Sequence, residues 1–454
     1  MWPIVPKVKK IIDSSFFDYV YKYSFVLLGL IAAFTFCFFL YYLLSLPTTN
    51  DDLIYGEYSI GMSFYKEHYF GWSSRLLIET LLIFFSHHFL IFKLAVVVCY
   101  VALATAFLVI LNIDSLDSLA DLKNINYKWN KLFVSLAVCA LIPYGYLNEA
   151  GIIATFTNYI VPLVALIWGF ICLIWFKRIT FVKVTLVILL LLLAFDHEQY
   201  CVFAFLTIIP LYLSKRVDKK LFAIFVVLCL VSLVYHFTCP GNSVRLTREI
   251  TRWLPEFTDY SVFDKVKLGF IVFYERTFVV NFYVAMLFIG ALVFTILLTG
   301  SSKRKFFISI AVVVLISFFY LKANRYIPRF FCCNRELIYS FITYKFVKYY
   351  ALLLVSILVA MSLINATWTC KIILVSCLIA ASAVTIVLGF SPTVFSSGCR
   401  TTFLYCTVLV FLALILLYRR DNSRLLLVSN VFLALMLVGN FMFFMSRYAD
   451  TLKS

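Results

Sequence analysis

Long, almost uncharged apolar runs recur from one end of the chain to the other. The first, residues 23–46, has about 24 residues, enough for a helix to cross a hydrocarbon core of roughly 30 Å. No small-residue cleavage site follows it, so we expect an anchor rather than a removed signal peptide. With 64% hydrophobic and 13% charged residues, the chain lies outside the composition of soluble domains. The sequence predicts an all-α, polytopic transmembrane protein with a single domain over residues 1–454.

About 11–13 transmembrane helices are expected, together with one helix in the outer interface. The stretch 76–90, which His87 and His88 interrupt, is interpreted as the interfacial helix, because a full crossing there would invert every later loop. The predicted spans are 24–46, 91–111, 131–147, 158–176, 182–195, 199–214, 221–238, 279–299, 306–321, 346–366, 371–390, 401–418 and 425–445.

The positive charge sets the expected orientation. Lys7, Lys9 and Lys10 favour a cytoplasmic N-terminus, and alternating spans then bring most basic loops to the cytoplasmic side. The net charge of +17 is explained in this way and gives no reason to expect nucleic acid as a partner. Outer loops longer than a turn are usually functional or disordered, and we favour function for residues 47–90, 239–278 and 322–345.

The strongest chemical signal is the acidic pair Asp51-Asp52, directly after the first span. Two adjacent carboxylates repel each other, so one of them is expected to hold a proton more tightly or to seek a cation. A carboxylate in this state can act as a general base toward a hydroxyl group. The alternative is that the pair only caps the next helix. We favour catalysis because both residues are acidic and follow a membrane exit.

Arginines in the outer loops form the second signal. Arg245 and Arg248 follow Pro-Gly-Asn, which predicts a tight turn, and on a helix their spacing would place them on one face. Paired guanidinium groups suit a phosphate, although an anionic lipid headgroup would serve equally well. Arg325 and Arg329 break the positive-inside rule, which indicates either an anionic substrate or an error in the predicted topology. Arg400 is a weaker case of the same kind.

Other outer residues are weaker candidates for a site. Trp72 and Arg75 share the loop of the acidic pair, although interface aromatics and snorkelling arginines are common. Glu149 and Tyr159 lie in one outer segment and Glu198 in another. Such residues cannot face lipid, but they can also form a hydrated turn.

Together these elements resemble the multi-spanning sugar transferases of the GT-C type, and more closely the serotype-converting O-antigen glucosyltransferases of the Gtr group. The resemblance rests on short motifs in the expected order over nearly the whole chain. Two departures occur: Ser74 stands where a Gly usually precedes the Arg, and Thr155-Phe156 replaces a frequent Trp. The matching elements are Asp51-Asp52, Trp72 with Arg75, Asn158-Tyr159 before Pro162, Glu198-Gln199, Pro240-Gly241-Asn242 with Arg245, and Ser391-Pro392 with Arg400.

The resemblance implies a bacterial inner-membrane enzyme whose active site faces the periplasm. Its donor would be an undecaprenyl-phosphate sugar, with glucose as the sugar that the resemblance implies, and its acceptor a lipid-linked O-antigen, so that the reaction modifies lipopolysaccharide and converts serotype. Asp51 or Asp52 would be catalytic, and Arg245, Arg248, Arg325, Arg329 and Arg400 would bind the donor phosphate. Sugar and acceptor contacts would come from Trp72, Arg75, Glu149, Tyr159, Glu198 and Gln199. A divalent metal is compatible with this chemistry, but no motif demands one and no other cofactor is expected.

Two other functions fit the sequence. An O-antigen polymerase also acts on a lipid-linked glycan with outer arginines, but the acidic pair after the first span favours a transferase. A flippase or other transporter would place ionisable residues near the middle of its helices. In this sequence the acidic residues gather at one face instead.

Overall fold

A computed structural model describes residues 6–112, 125–142, 147, 149–175, 180–299, 303–324, 344–362, 364, 366–418 and 423–453 of the chain. Within these residues every regular element is a helix, which confirms the predicted all-α class. The α-helices are Pro6–Ser45, Asp51–Gly56, Met62–Gly71, Leu76–His87, Phe89–Asn112, Ile125–Leu141, Ile152–Thr155, Val161–Trp175, Phe181–Phe195, Glu198–Leu213, Lys219–Thr238, Pro240–Trp253, Val262–Tyr274, Phe282–Thr299, Lys303–Asn324, Tyr344–Ser362, Trp368–Ile386, Phe403–Tyr418 and Ser423–Lys453.

Each of the predicted spans corresponds to a helix, and the protein is a multi-pass membrane protein. Among the described residues seven helices are long and apolar enough to cross a bilayer. They are Val26–Ser45, Phe89–Leu111, Ile152–Trp175, Lys219–Thr238, Trp368–Phe390, Cys399–Tyr418 and Leu426–Met445. The other predicted spans are shorter apolar helices or, for 279–299, one arm of a bent pair. Leu76–His87, the predicted interfacial segment, is also a short apolar helix.

The second half of the predicted outer loop 239–278 contains a helix that the sequence analysis did not predict. Val262–Tyr274 is a largely buried helix that continues as the π-helix Glu275–Val280 and meets the next helix at an 85° bend. Lys265 and Lys267 lower the hydropathy of this segment, so the sequence analysis did not predict a buried helix there. In the structure Lys267 pairs with Asp264 at 2.8 Å, while Leu268 on the same helix is fully buried.

Helix packing brings distant parts of the chain together around a large apolar core. Pro6–Ser45 packs against Ser423–Lys453 and Ile125–Leu141, and Phe282–Thr299 packs against Phe403–Tyr418. In a bilayer, where lipid tails are as apolar as the helices, such contacts depend on close packing. Several helix termini lie near one another at one end of the bundle, which we call the cleft end. Two helices end there, at Ser45 and Thr238, and two begin there, at Ile152 and Cys399.

Gly269 and Gly389 lie in close contact with each other, on the helix Val262–Tyr274 and in the segment after Trp368–Ile386. A methyl group on Gly269 would collide with the backbone of Ile386, and one on Gly389 would collide with the backbone of Lys265 and Gly269. We predict that Gly269→Ala lowers the stability of the detergent-solubilised protein by about 1–3 kcal/mol, because backbone atoms cannot move aside as a side chain can. The measurement is the thermal unfolding midpoint.

Gly56→Ala is the matched control, since a methyl group there meets nothing within 4 Å. Equal midpoints for the two variants would contradict the packing described for Gly269.

Candidate functional site

The cleft end holds a cleft of about 580 Å³ that gathers residues from five separate parts of the chain. Five arginines and three carboxyl groups line it, together with tyrosines and a tryptophan. The lining residues are Asp51, Ile54, Tyr55, Tyr58, Glu67, His68, Gly71, Trp72, Arg75, Glu79, Leu82, Ala150, Ala154, Thr155, Asn158, Tyr159, Arg245, Arg248, Arg252 and Arg400. Seven of the predicted site residues are therefore brought together: Asp51, Trp72, Arg75, Tyr159, Arg245, Arg248 and Arg400.

The two adjacent aspartates have different environments. The Asp52 side chain is buried, with 2% of its surface exposed, and it does not line the cleft. Its carboxylate accepts hydrogen bonds from the backbone N–H of Ala154 at 2.8 Å and of Thr49 at 3.3 Å. Asp51 lines the cleft, so of the predicted catalytic pair only Asp51 can meet a substrate there.

Gly151 makes the position of Asp52 possible. Its φ of +101° lies in the left-handed region that favours glycine, and a methyl group there would collide with the Asp52 carboxylate. The backbone N–H of Asp51 also donates to the carbonyl of Ala150 at 3.1 Å. The segment after the first span is thereby fixed to the segment before Ile152, and Asp51 is fixed with it.

Glu149, like Asp52, joins two segments of the chain by accepting hydrogen bonds from backbone N–H groups. Its carboxylate accepts hydrogen bonds from the backbone N–H of Cys399 at 3.3 Å and of Arg400 at 3.4 Å. Gly398, with φ +59°, leaves no room for a methyl group beside that carboxylate. Glu149 does not line the cleft; it positions Arg400, which does. The placement of Glu149 therefore does not support its predicted contact with the sugar or the acceptor.

Helix Pro240–Trp253 carries three of the arginines. Pro240 is its first residue, so the predicted tight turn is wrong; Pro is suited to the first helical position. Gly241 lies so close to Met62–Gly71 that a methyl group on it would come within 2.7 Å of the carbonyl oxygen of Tyr69. This contact fixes the helix along one wall of the cleft.

Asn242 anchors the beginning of the same helix. Its side-chain amide donates to the carbonyl of His236 at 2.8 Å and to the hydroxyl of Ser74 at 3.0 Å. The Ser74 hydroxyl also lies 2.7 Å from Nδ1 of His236, whose Nε2 lies 2.7 Å from the carbonyl of Phe195. Ser74, the residue that departs from the family pattern, is thus a fully buried part of a polar network.

Arg75 is paired within the protein. Its Nε and Nη2 lie 2.9 and 2.7 Å from Oε2 of Glu198. The Arg75 guanidinium holds the pKa of Glu198 well below its usual range despite burial. Glu198 and Gln199 do not line the cleft, so their predicted contacts with sugar or acceptor are not supported by their placement.

The charge in the cleft acts on Asp51. Burial raises the pKa of Asp51 from its ordinary value, and Arg400, Arg245 and Arg252 oppose that rise. Arg245 is itself held by an ion pair to Glu249 at 2.8 Å and lies over the ring of Trp72, 5.3 Å from its centroid. The ion pairs of the described residues include none that involves Arg248 or Arg400. These cations remain available to an anion.

Sequence analysis missed three charged lining residues, Glu67, Glu79 and Arg252. Arg252 continues the face of Arg245 and Arg248 at a spacing of four residues, a signal that the sequence contains. Glu79 is a lone acid in an apolar segment, and the sequence holds no motif around it that marks it as a site residue. Arg325 and Arg329 lie outside the described residues.

A metal centre is not evident in the part of the chain that the structure describes, where no group of three or more His, Cys, Asp or Glu side chains could hold an ion. No family model, curated protein or solved structure matches this chain.

Asp196 holds the helix that carries Glu79 and makes the stability of the folded protein depend on pH. Its carboxylate accepts a hydrogen bond from the backbone N–H of Ile78 at 2.8 Å, and burial raises its pKa to about 7. The folded protein therefore holds a proton here that the unfolded chain releases near pH 4. The corresponding stabilisation is present at low pH and is lost as the pH rises through about 7.

We predict that raising the pH from 5 to 8 lowers the stability of the wild type relative to Asp196→Asn by about 2 kcal/mol. The measurement is the thermal midpoint of both proteins in detergent at each pH. Comparison with Asp196→Asn cancels the titrating groups that do not interact with Asp196, whereas Glu79 and Glu198, which do interact with it, contribute to the difference. A difference between the two midpoints that does not change with pH would contradict the assigned pKa.

Proposed function

We propose that the protein is a membrane glycosyltransferase that moves a sugar, by family resemblance glucose, from undecaprenyl phosphate to a lipid-linked O-antigen. The single observation that carries this is the cleft, in which one carboxylate, Asp51, faces arginines from two distant segments. A base and an anion-binding group must meet in such a reaction, because one partner loses a proton while the other leaves as a phosphate.

The cleft is proposed to face the periplasm. Helix Lys219–Thr238 ends at the cleft end, and its 20 residues span about 30 Å. The basic loop around Lys215 and Lys220 therefore lies at the opposite end, where the positive-inside rule expects cytoplasm. Val26–Ser45 ends at the cleft end as well, in agreement with a cytoplasmic N-terminus.

The proposed chemistry is a single displacement. The Asp51 carboxylate takes the proton of an acceptor hydroxyl, and the hydroxyl oxygen forms a bond to the anomeric carbon of the donor. The bond between that carbon and the phosphate oxygen breaks, and undecaprenyl phosphate leaves with the electron pair. Attack opposite the leaving group inverts the anomeric centre.

The arginines would stabilise the leaving phosphate as its charge grows. Arg248, Arg252 and Arg400 come from two segments that the Gly241 and Glu149 contacts hold in place. Groups that are fixed before the reaction need no reorganisation during it. Trp72 and Tyr159 add aromatic surface on which a sugar ring can pack.

A transporter is less well supported. None of the seven candidate spans contains Asp or Glu. Carboxyl groups that relay protons or cations usually line a path through the middle of the membrane. The acidic lining residues Asp51, Glu67 and Glu79 belong instead to segments between the candidate spans, at the cleft end.

The test of the proposal is analysis of the lipopolysaccharide glycan in cells with and without this chain. Added branch sugars are expected. Altered chain length would indicate a polymerase, and an unchanged glycan would contradict both enzymes.

Asp51→Asn should lower the transfer rate by about 10²–10⁴-fold, because the amide cannot accept the proton. Membrane insertion and thermal midpoint should be unchanged. Asp52→Asn should instead lower the midpoint, since it weakens the hydrogen bonds to residues 152–154. Transfer assays and thermal scans of both variants make the comparison, with the exposed Asp259→Asn as control. An active Asp51→Asn would remove the proposed base.

Arg248→Ala and Arg252→Ala should each raise the donor KM by roughly tenfold, a loss typical of one charge-assisted hydrogen bond. The measurement is the initial rate against the concentration of polyprenyl-phosphate sugar. Lys66→Ala is the control, because Lys66 is an exposed cation near the cleft end that does not line the cleft. An unchanged KM in both arginine variants would show that the donor phosphate binds elsewhere.

A further inference from the structure

Glu79 is a buried carboxyl group that lines the cleft. Only 4% of its surface is exposed, and its Oε2 has no hydrogen-bond partner. It stands on the otherwise apolar helix Leu76–His87, whose other buried members are Ile78, Leu82, Ile83 and Phe85. Leaving such a buried polar atom unpaired costs about 1–3 kcal/mol, which packing alone does not explain.

The neighbours of Glu79 do not supply the missing bond. Nε2 of His68 lies 3.6 Å from Glu79 Oε2, too far for a hydrogen bond, and burial lowers the pKa of His68, which disfavours its charged form. Arg75 and Arg245 act on Glu79 through their charge, but each is bonded to another carboxylate, Glu198 and Glu249 respectively. The Ser73 hydroxyl bonds to the Glu79 carboxyl group but not to Oε2.

The ligand that suits this oxygen is a hydroxyl group. A phosphate would be repelled by the carboxyl group, and the described residues include no group of three or more His, Cys, Asp or Glu side chains that could hold a metal ion. A hydroxyl both donates and accepts a hydrogen bond, so it satisfies a carboxyl group whether or not that group carries a proton. Burial raises the pKa of Glu79 to about 7, so both forms are populated near neutrality.

The surface around Glu79 suits a sugar ring. Tyr55, Trp72 and Tyr159 line the same cleft and offer flat apolar surfaces. Because Glu79 is nearly inaccessible from outside, it can contact only a group that is itself buried in the cleft. In the proposed reaction the transferred sugar, whose anomeric carbon must lie between Asp51 and the arginines, is that group.

We propose that Glu79 is a specificity-determining residue that hydrogen-bonds one hydroxyl of the transferred sugar. This rests on the proposed function, since it names the part of the donor that the cleft recognises. A site with a buried polar group discriminates strongly against a substrate that leaves the group unpaired.

The test compares polyprenyl-phosphate glucose with its 2-, 3-, 4- and 6-deoxy analogues. The wild type is expected to show a kcat/KM at least about 10²-fold lower for one analogue. In Glu79→Leu that ratio should fall by roughly tenfold or more for the same analogue only, while Glu79→Gln should keep part of it. Glu57→Gln, an exposed carboxyl group outside the cleft, should discriminate as the wild type does.

Thermal stability separates this role from a structural one. Glu79→Leu removes an unpaired buried oxygen, so its midpoint in detergent should equal or exceed that of the wild type. A midpoint several degrees lower would overturn the proposal, as would unchanged discrimination by Glu79→Leu in an active protein. A wild type that transfers no sugar from any of these donors would overturn the proposed function and this inference together.

Discussion

The cleft depends on the hydrogen bonds that the backbone N–H groups of residues 152–154 donate to the carboxylate of Asp52. These hydrogen bonds join the end of the first span to the beginning of another, and they require the left-handed backbone conformation and the missing side chain of Gly151. The carboxylate of Glu149 likewise accepts a hydrogen bond from a backbone N–H, that of Cys399, and occupies the space beside Gly398. Two carboxylates thus tie three loops together through hydrogen bonds to backbone groups.

This framework explains why one carboxylate of the pair faces the cleft. In an adjacent acidic pair on a short helix the side chains point in different directions, so burying Asp52 turns Asp51 toward the cleft. Glu149 fixes Arg400 by accepting a hydrogen bond from its backbone N–H, and Gly241 and Asn242 fix helix Pro240–Trp253. The electrostatic partners of Asp51 are therefore set by loops and helix ends rather than by the spans.

The fold was largely predictable because apolar length alone defines a span. The segment 262–280 was not, since Lys265 and Lys267 are paired or stacked at its surface while its other face is buried. Within the site, the sequence indicated residue types but not directions. Asp51 and Asp52 look alike in sequence, and only the fold of residues 149–154 separates their roles. Glu149 and Glu198 were assigned to the substrate, yet their partners, a backbone and Arg75, are distant in sequence.

The central claim is that the cleft with Asp51 opens on the non-cytoplasmic side. Labelling of single introduced cysteines with a membrane-impermeant maleimide tests it most directly, with the unsubstituted protein as background. Glu57→Cys lies at the end of the Asp51 helix, and Lys219→Cys lies in the basic loop at the opposite end; both side chains are exposed. The account predicts that position 57 is labelled in intact cells and position 219 only after lysis. Labelling of position 219 but not of position 57 in intact cells would contradict it.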